Sequence, residues 1–262
     1  KVCEFYKKVE IGGFTGLIGN PYYLTRLVRF FKDDNGEFPK NKSPLFERIL
    51  FERFDLDNSK YKTQLNRKRF KEIAQAIAFC MTAMDKKDIG QEMLDSIIPD
   101  AEERLTFSKF FLLTKNSDGR NAWSFEHKNL QEYLCASFFQ QISFEKLKSQ
   151  ITFKYAPNIL QPHYLNTISF LFDIASEELF NPLFDWLYKS QPELLIRFEK
   201  DRIDKGLRFE IVKQVLEYYG NKDLSLYSSK NFTVQELVYF VQIDSQVLDY
   251  LETKLFDVNT TD

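Results

Sequence analysis

Between residues 67 and 85 the apolar positions Phe70, Ile73, Ala74, Ile77, Ala78, Met81 and Met84 recur at three- and four-residue steps. That spacing places them on one face of an α-helix, because 3.6 residues complete a turn. Other segments repeat the pattern. A short helix is expected over 2–9, followed by a Gly-rich connection at Gly12-Gly13-Phe14-Thr15-Gly16. Asn20 and Pro21 suit the N-cap and first position of a helix carrying Leu24, Leu27, Val28 and Phe31. Ser43 and Pro44 open another by the same logic, with Leu45, Phe46, Ile49, Leu50 and Phe54 inward, and the polar run 55–62 reads as a connector. Asp88 and Gln91 form a capping pair for a short helix with Met93, Leu94 and Ile97, ended by Pro99. A further helix is expected from 101 toward 107.

The pattern changes near residue 110. Phe110 to Lys115 and Trp123 to Phe125 are apolar runs around Asn116-Ser117-Asp118-Gly119-Arg120-Asn121, a polar turn with an Asp-Gly step. Glycine supplies the positive φ of a tight reversal, so these runs predict a β-hairpin. The second strand passes directly into a helix from Asn129 to about Gln141, with His127 at the junction. Three helices, a hairpin and a further helix is the order of a winged-helix module.

Beyond 142 the chain reads as helical throughout. Pro162 opens a helix with Leu165, Ile168, Phe172 and Ala175, and Asn181-Pro182 opens the next. Another over 207–219 is closed by Gly220, Thr233 and Glu236 form a capping box, and the last helix carries Val247, Leu248, Leu251 and Leu255. Such helices with short polar joints are expected to stack as an irregular α-solenoid-like region. The expected fold is mainly α: a small helical domain over 1–62, a winged-helix module with one β-hairpin over 63–142, and a helical region over 143–262.

Composition fits this picture. Among 262 residues there are 27 Phe and only 9 Gly, which favours packed helices over strands and turns. A formal net charge of −2 gives no general drive toward nucleic acid or anionic membrane. Cys3, Cys80 and Cys135 are widely spaced, no Cys/His cluster has metal-ligand spacing, and a reduced, cytoplasmic setting is expected. No run approaches the ~20 apolar residues of a membrane span. The chain starts at Lys1 without Met and shows no signal peptide, so a piece of a longer protein is expected.

Chemistry-bearing motifs are sparse. The glycines at 12–16 lack the Gly-Lys-Ser/Thr of a phosphate loop. No G-x-S-x-G, paired acids in a cleft motif or supported Cys–His pair is present, so this segment is not expected to be an enzyme. His163, after Pro162, reads as structural or exposed.

The stretch Phe125-Glu126-His127-Lys128-Asn129-Leu130-Gln131-Glu132-Tyr133-Leu134-Cys135-Ala136 resembles the winged-helix signature F-x-H-x-x-F-Q-E-Y-x-A-A of NACHT-type STAND ATPases. Asn20-Pro21-Tyr22-Tyr23-Leu24-Thr25 is similar to that family's Asn-Pro-Leu-Leu-Leu segment. Asn35-Gly36-Glu37-Phe38-Pro39 with Leu45-Phe46-Glu47 fits its small helical domain. These pieces fall in family order across 1–142. Leu130 replaces the usual Phe, Tyr22 replaces a Leu, and both Walker motifs are absent.

The resemblance implies the regulatory portion of a nucleotide-gated signalling ATPase that controls autoinhibition and oligomerisation, in a microbial antiviral defence setting. His127 would contact the ADP β-phosphate and Pro21 would pack near the adenine, both only together with an upstream nucleotide-binding core of the same protein. ADP or ATP would belong to the full-length parent, with no cofactor expected for this segment alone. Gln131, Glu132 and Tyr133 would brace the helix behind His127; without the resemblance they read as a solvated turn with one packing aromatic. A protein ligand or self-association is expected through the helical region. The alternatives are a helical protein-interaction scaffold without nucleotide and, less favoured, a winged-helix DNA-binding regulator. Residues 99–106, which would enter the groove, carry three acids against one arginine and would repel phosphates.

Overall fold

The computed structural model describes residues 2–11, 14–39, 42–110, 112–115, 121–242 and 245–258. Gly12, Gly13 and the turn residues 116–120 lie outside the described residues. The protein is mainly α-helical, and it divides into two compact units, Lys1–Ile151 with Leu160–Ser176, and Thr152–Ile159 with Glu177–Asp262.

The first unit begins with α1 (Val2–Ile11), a single turn α2 (Thr15–Ile18) and α3 (Pro21–Asp33). The Asn20 side chain accepts from the Tyr22 N–H at 2.9 Å, and Pro21 takes a position where its missing N–H costs nothing. The face α3 buries is Tyr23, Leu27 and Phe30; Leu24, Val28 and Phe31 flank it, half-buried. In α4 (Ser43–Tyr61) the polar residues after Phe54 continue the helix and are not a connector. They do so because Arg53 and Asp57 pair at i,i+4 (3.1 Å) and Asp57 lies on the buried side, until Lys62 closes the helix in the left-handed region. Ser43 is already helical, and the cap is supplied from elsewhere. Asp173 accepts from the Ser43 backbone N–H (3.2 Å) and hydroxyl (2.5 Å).

Helix α5 (Arg67–Ala83) buries Phe70, Ile73, Ala74, Ile77, Ala78 and Met81, as the periodicity predicts. Met84 falls past its end and is exposed. A two-residue strand β1 (Ile89–Gly90) precedes α6 (Gln91–Ile97), so Gly90 and not Asp88 is the N-cap. The chain is extended there because it pairs antiparallel with a later strand, Ile89 opposite Trp123 and Gly90 opposite Ala122. Gln91 instead accepts from the Trp123 indole at 2.9 Å and donates to Asp95 at 2.7 Å. After α7 (Ala101–Phe107), capped by Asp100, strands β2 (Leu113–Lys115) and β3 (Ala122–Phe125) pair antiparallel with Leu113 opposite Phe125. The sheet order β1-β3-β2 behind three helices is winged-helix topology. Helix α8 (Lys128–Phe139) packs along α5 and is buried nearly all round, its other side covered by α10 (Leu165–Ile174). Between them in sequence come α9 (Phe144–Ile151), a short hairpin of β4 (Thr152–Phe153) and β5 (Ala156–Leu160), and a 3-10 turn, Pro162–Tyr164, that leads into α10. The hairpin interrupts the helical run expected beyond 142, and its residues Thr152–Ile159 belong to the second unit.

The second unit contains α11 (Glu177–Ser190), in which Pro182 lies inside the helix and does not open it. Leu179, Phe180 and Leu183 are buried on both sides of the proline, and two acids in the first turn complement the helix dipole, which together offset one lost backbone bond. The 3-10 segments Pro192–Arg197 and Lys200–Arg202 follow, then α12 (Lys205–Asn221), α13 (Val234–Val241) and α14 (Ser245–Val258). Gly220 lies within the last turn of α12, which is closed beyond it by Lys222 and the left-handed Asp223. The capping box at Thr233 and Glu236 is present with both bonds, 3.1 and 2.7 Å. Within this unit α11, α12 and α13 gather on Pro192–Arg197, which buries Leu194, Leu195 and Ile196.

Candidate functional site

His127 lies where β3 has ended and α8 has not begun. Its backbone is extended (φ −141°, ψ 134°) and its carbonyl accepts from the Leu130 N–H at 3.1 Å, which makes it the N-cap of α8. A capping residue ordinarily gives its side chain to the first free N–H groups of the helix. The His127 imidazole makes no such bond and is left available for other partners.

The ring is held by stacking. Its centroid lies 4.1 Å from that of Tyr22 and 5.1 Å from that of Tyr23, both tilted by less than 50°. The two tyrosines follow Pro21 in the first turn of α3, so the turn set by Asn20 and Pro21 presents both rings to the imidazole. Tyr23 is further wedged against Phe46 of α4 at 5.6 Å. Arg26, one turn along α3, places its guanidinium 5.4 Å from the Tyr22 ring and is held there by Glu52 at 2.9 Å.

The electrostatics follow from burial. Loss of solvent lowers the His127 pKa, with Glu126 pulling weakly the other way, so the imidazole is neutral at pH 7. The Tyr22 and Tyr23 hydroxyls are both pushed up, first by burial, so they stay protonated donors. The Tyr23 Oη is buried without a hydrogen-bond partner among the described residues. The imidazole is thus free to hydrogen-bond a further group, and a negative charge placed beside it would favour the imidazolium. The Tyr23 Oη is enclosed, and the carboxylates acting on the two rings are Glu126 and Glu132.

No known protein family, curated protein or solved structure matches this chain. The site is therefore carried by its geometry. The two predicted site residues fare differently within it. His127 meets the rings just after Pro21, while Pro21 itself is exposed at the start of α3, its carbonyl accepting from the Thr25 hydroxyl at 2.8 Å. Tyr22 and Tyr23 enter the sequence reading only as members of the segment around Pro21, and Arg26 has no role in it, because contacts with partners as distant in sequence as His127 and Glu52 have no local signature.

Behind His127, Gln131, Glu132 and Tyr133 are all buried and do not form a solvated turn. They point inward because α8 is covered on both flanks. Gln131 donates to the Thr82 hydroxyl (3.2 Å) and the Lys86 carbonyl (3.4 Å), tying α8 to the end of α5. Cys135 is a buried free thiol whose pKa burial pushes up to about 12, an inert packing group. In α7, Glu103 forms a two-point pair with Arg69 (2.7 Å each), and Arg104 is occupied by Asp95 (2.9 Å) and the Ile98 carbonyl. Among the described residues no group of His, Cys, Asp and Glu could hold a metal ion, and no helix is long and apolar enough to cross a membrane.

Proposed function

We propose that this chain is the regulatory portion of a NACHT-like signalling ATPase, a nucleotide-dependent switch that restrains oligomerisation. One observation carries the proposal. The two stretches that resemble the family's motifs, Asn20-Pro21-Tyr22-Tyr23 and the run around His127, are far apart in sequence, yet their rings stack at 4.1 Å. In this reading His127 donates to a phosphate oxygen of ADP, and the turn at Pro21 borders the adenine, when the upstream nucleotide-binding core of the same protein folds against them. ADP or ATP would supply the charge that distinguishes the two states of the switch. This chain's residues hold and sense that charge and catalyse nothing themselves. A γ-phosphate would add negative charge beside His127 and bias a two-state hinge. The setting proposed is cytoplasmic, in microbial antiviral defence.

DNA reading is disfavoured. The one arginine of the groove-facing segment, Arg104, is held by Asp95 and a backbone carbonyl, and its neighbours Glu102 and Glu103 are acidic.

A longer form of the protein that includes the core is expected to co-purify with ADP. His127→Ala should reduce the retained ADP by about tenfold, the loss of one charge-assisted hydrogen bond. It should also raise self-association in size-exclusion chromatography. Unchanged ADP content in a monomeric variant would overturn the role of His127.

A second reading, a helical interaction scaffold without nucleotide, is favoured by the β4–β5 hairpin. Tyr155 at its turn is 93% exposed, and Phe153 and Ile159 beside it are also exposed. Its outcome is a nucleotide-free protein whose association with a partner or a second copy is abolished by Tyr155→Ser.

A further inference from the structure

A recess of about 70 Å³ opens in the first unit where the end of α5, the first turns of α8 and the 3-10 turn Pro162–Tyr164 meet. At its base is Glu132, only 2% exposed. One carboxylate oxygen, Oε1, accepts from the Asn166 side chain at 3.2 Å and faces the Lys128 ammonium at 3.6 Å. The other, Oε2, is buried and has no partner among the described residues, and neither has the buried Nε2 of His163, which lines the same recess. Buried polar atoms are rarely left this way unless something absent from the chain completes them.

The lining narrows what that something is. Lys86, Lys87 and Lys128 stand against two carboxylates, Glu132 and Asp85, leaving one positive charge over. The volume is several times the roughly 10–15 Å³ that one enclosed water requires, which admits a ligand of a few heavy atoms and excludes a nucleotide. Glu132 Oε2 requires a donor. An ammonium donor would be repelled by Lys128, which already faces the same carboxylate, whereas a hydroxyl both donates to Oε2 and accepts from Lys128 or His163. We propose that the recess binds a small hydroxylated monoanion of the α-hydroxy-acid class, its hydroxyl donating to Glu132 Oε2 and its carboxylate facing the lysines. Gln131 fixes the floor by bonding Thr82 and the Lys86 carbonyl, so the recess is held open by α8 itself.

The test is an NMR titration of this chain with glycolate, acetate and glycine in turn. Glycolate is expected to give saturable shifts at the amides of Asp85, Lys86 and Glu132. Its affinity should exceed that of acetate, which lacks the hydroxyl, by at least about tenfold. Glycine, which offers an ammonium, should give no saturable response. Lys86→Ala, a change at an exposed side chain that leaves folding intact, and Glu132→Gln should each weaken glycolate by about tenfold, judged from a lost polar contact. His127→Ala should leave glycolate binding unchanged, which separates this site from the nucleotide reading. Absence of saturation with glycolate, or equal responses to glycolate and acetate, would overturn the proposal and leave the recess to water.

Discussion

In the first unit, buried polar side chains along the α5–α8 contact are neutral and bond one another. Gln75 donates to Ser137 at 2.8 Å and Gln131 to Thr82 at 3.2 Å, both inside an otherwise apolar seam. The second unit uses buried cations. Arg208, 6% exposed, donates to the Phe240 carbonyl and to Gln242, each at 3.3 Å, closing the end of α13. Lys200 sits 3.5 Å over the Tyr239 ring and also reaches that residue's carbonyl. Two long helices satisfy their own backbones, so side chains are free to lock register. Short helices and 3-10 pieces leave carbonyls over, and a buried cation is a compact way to cover several of them.

The sharpest way to break the first arrangement is Phe70→Ala. Phe70 is fully buried, 5.0 Å from Phe54, 5.6 Å from Phe107 and 4.9 Å from Phe110, so the deletion opens a cavity at the base of the winged helix. A loss of about 3–5 kcal/mol is expected in denaturant unfolding, with faster amide exchange in α5 and α8. A loss below about 1 kcal/mol would mean that the site collapses and that the apolar seam is not what holds this unit.

This contrast also explains what was legible in the chain. The α5 stripe, the Asn20–Pro21 helix start and the Thr233–Glu236 capping box were readable because each is decided within four residues. Strand β1 was not, since two residues carry no period and are extended only because Trp123 and Ala122 lie opposite. The polar end of α4 read as a connector because an i,i+4 ion pair leaves no hydrophobic trace. Pro182 read as a helix opener because local rules place it at a start, and burial on both sides overrode them. The stacking of His127 on Tyr22 is a long-range contact with no periodic signature; only the resemblance of both stretches to one family brought them into one picture. Glu132 was invisible as a buried acid because a Gln-Glu pair in sequence is ordinarily a solvated face.

The second arrangement is broken by Arg208→Ala, with an expected loss of about 2–3 kcal/mol. That figure is the cost of leaving a buried carbonyl and an amide oxygen without their charged donor. Exchange of the last amides of α13 should rise most. Arg208→Met, which restores the packing of the stem without the donor, should recover only part of the loss. Full recovery with Met would show that Arg208 acts by volume and not by covering carbonyls.

The smallest effect has the opposite sign. Glu132 is an exception to the neutral polar pairs of its unit, and burial raises its pKa above the usual carboxylate range, with Asn166 and Lys128 pulling back. A carboxyl raised in the folded state stabilises fully below its unfolded value, and that contribution is lost as pH rises through the folded value. Glu132→Gln removes this slope while keeping an acceptor for Asn166. The variant should therefore match the parent near pH 4 and exceed it by about 1 kcal/mol at pH 8, as replacing a buried charge often does. His127 and His163 are both lowered by burial, so their contribution is present above the unfolded histidine value and is lost as pH falls below it. His127 lies outside the recess and cancels in the difference, while His163 shares the recess with Glu132, so Glu132 is isolated by the part of the difference that develops below the histidine range. A variant that is more stable yet binds glycolate about tenfold more weakly would identify the buried carboxylate as a group kept at a cost to the fold for the ligand it receives. A variant less stable at pH 8 would instead make Glu132 part of the framework of α8, like Gln75 and Gln131.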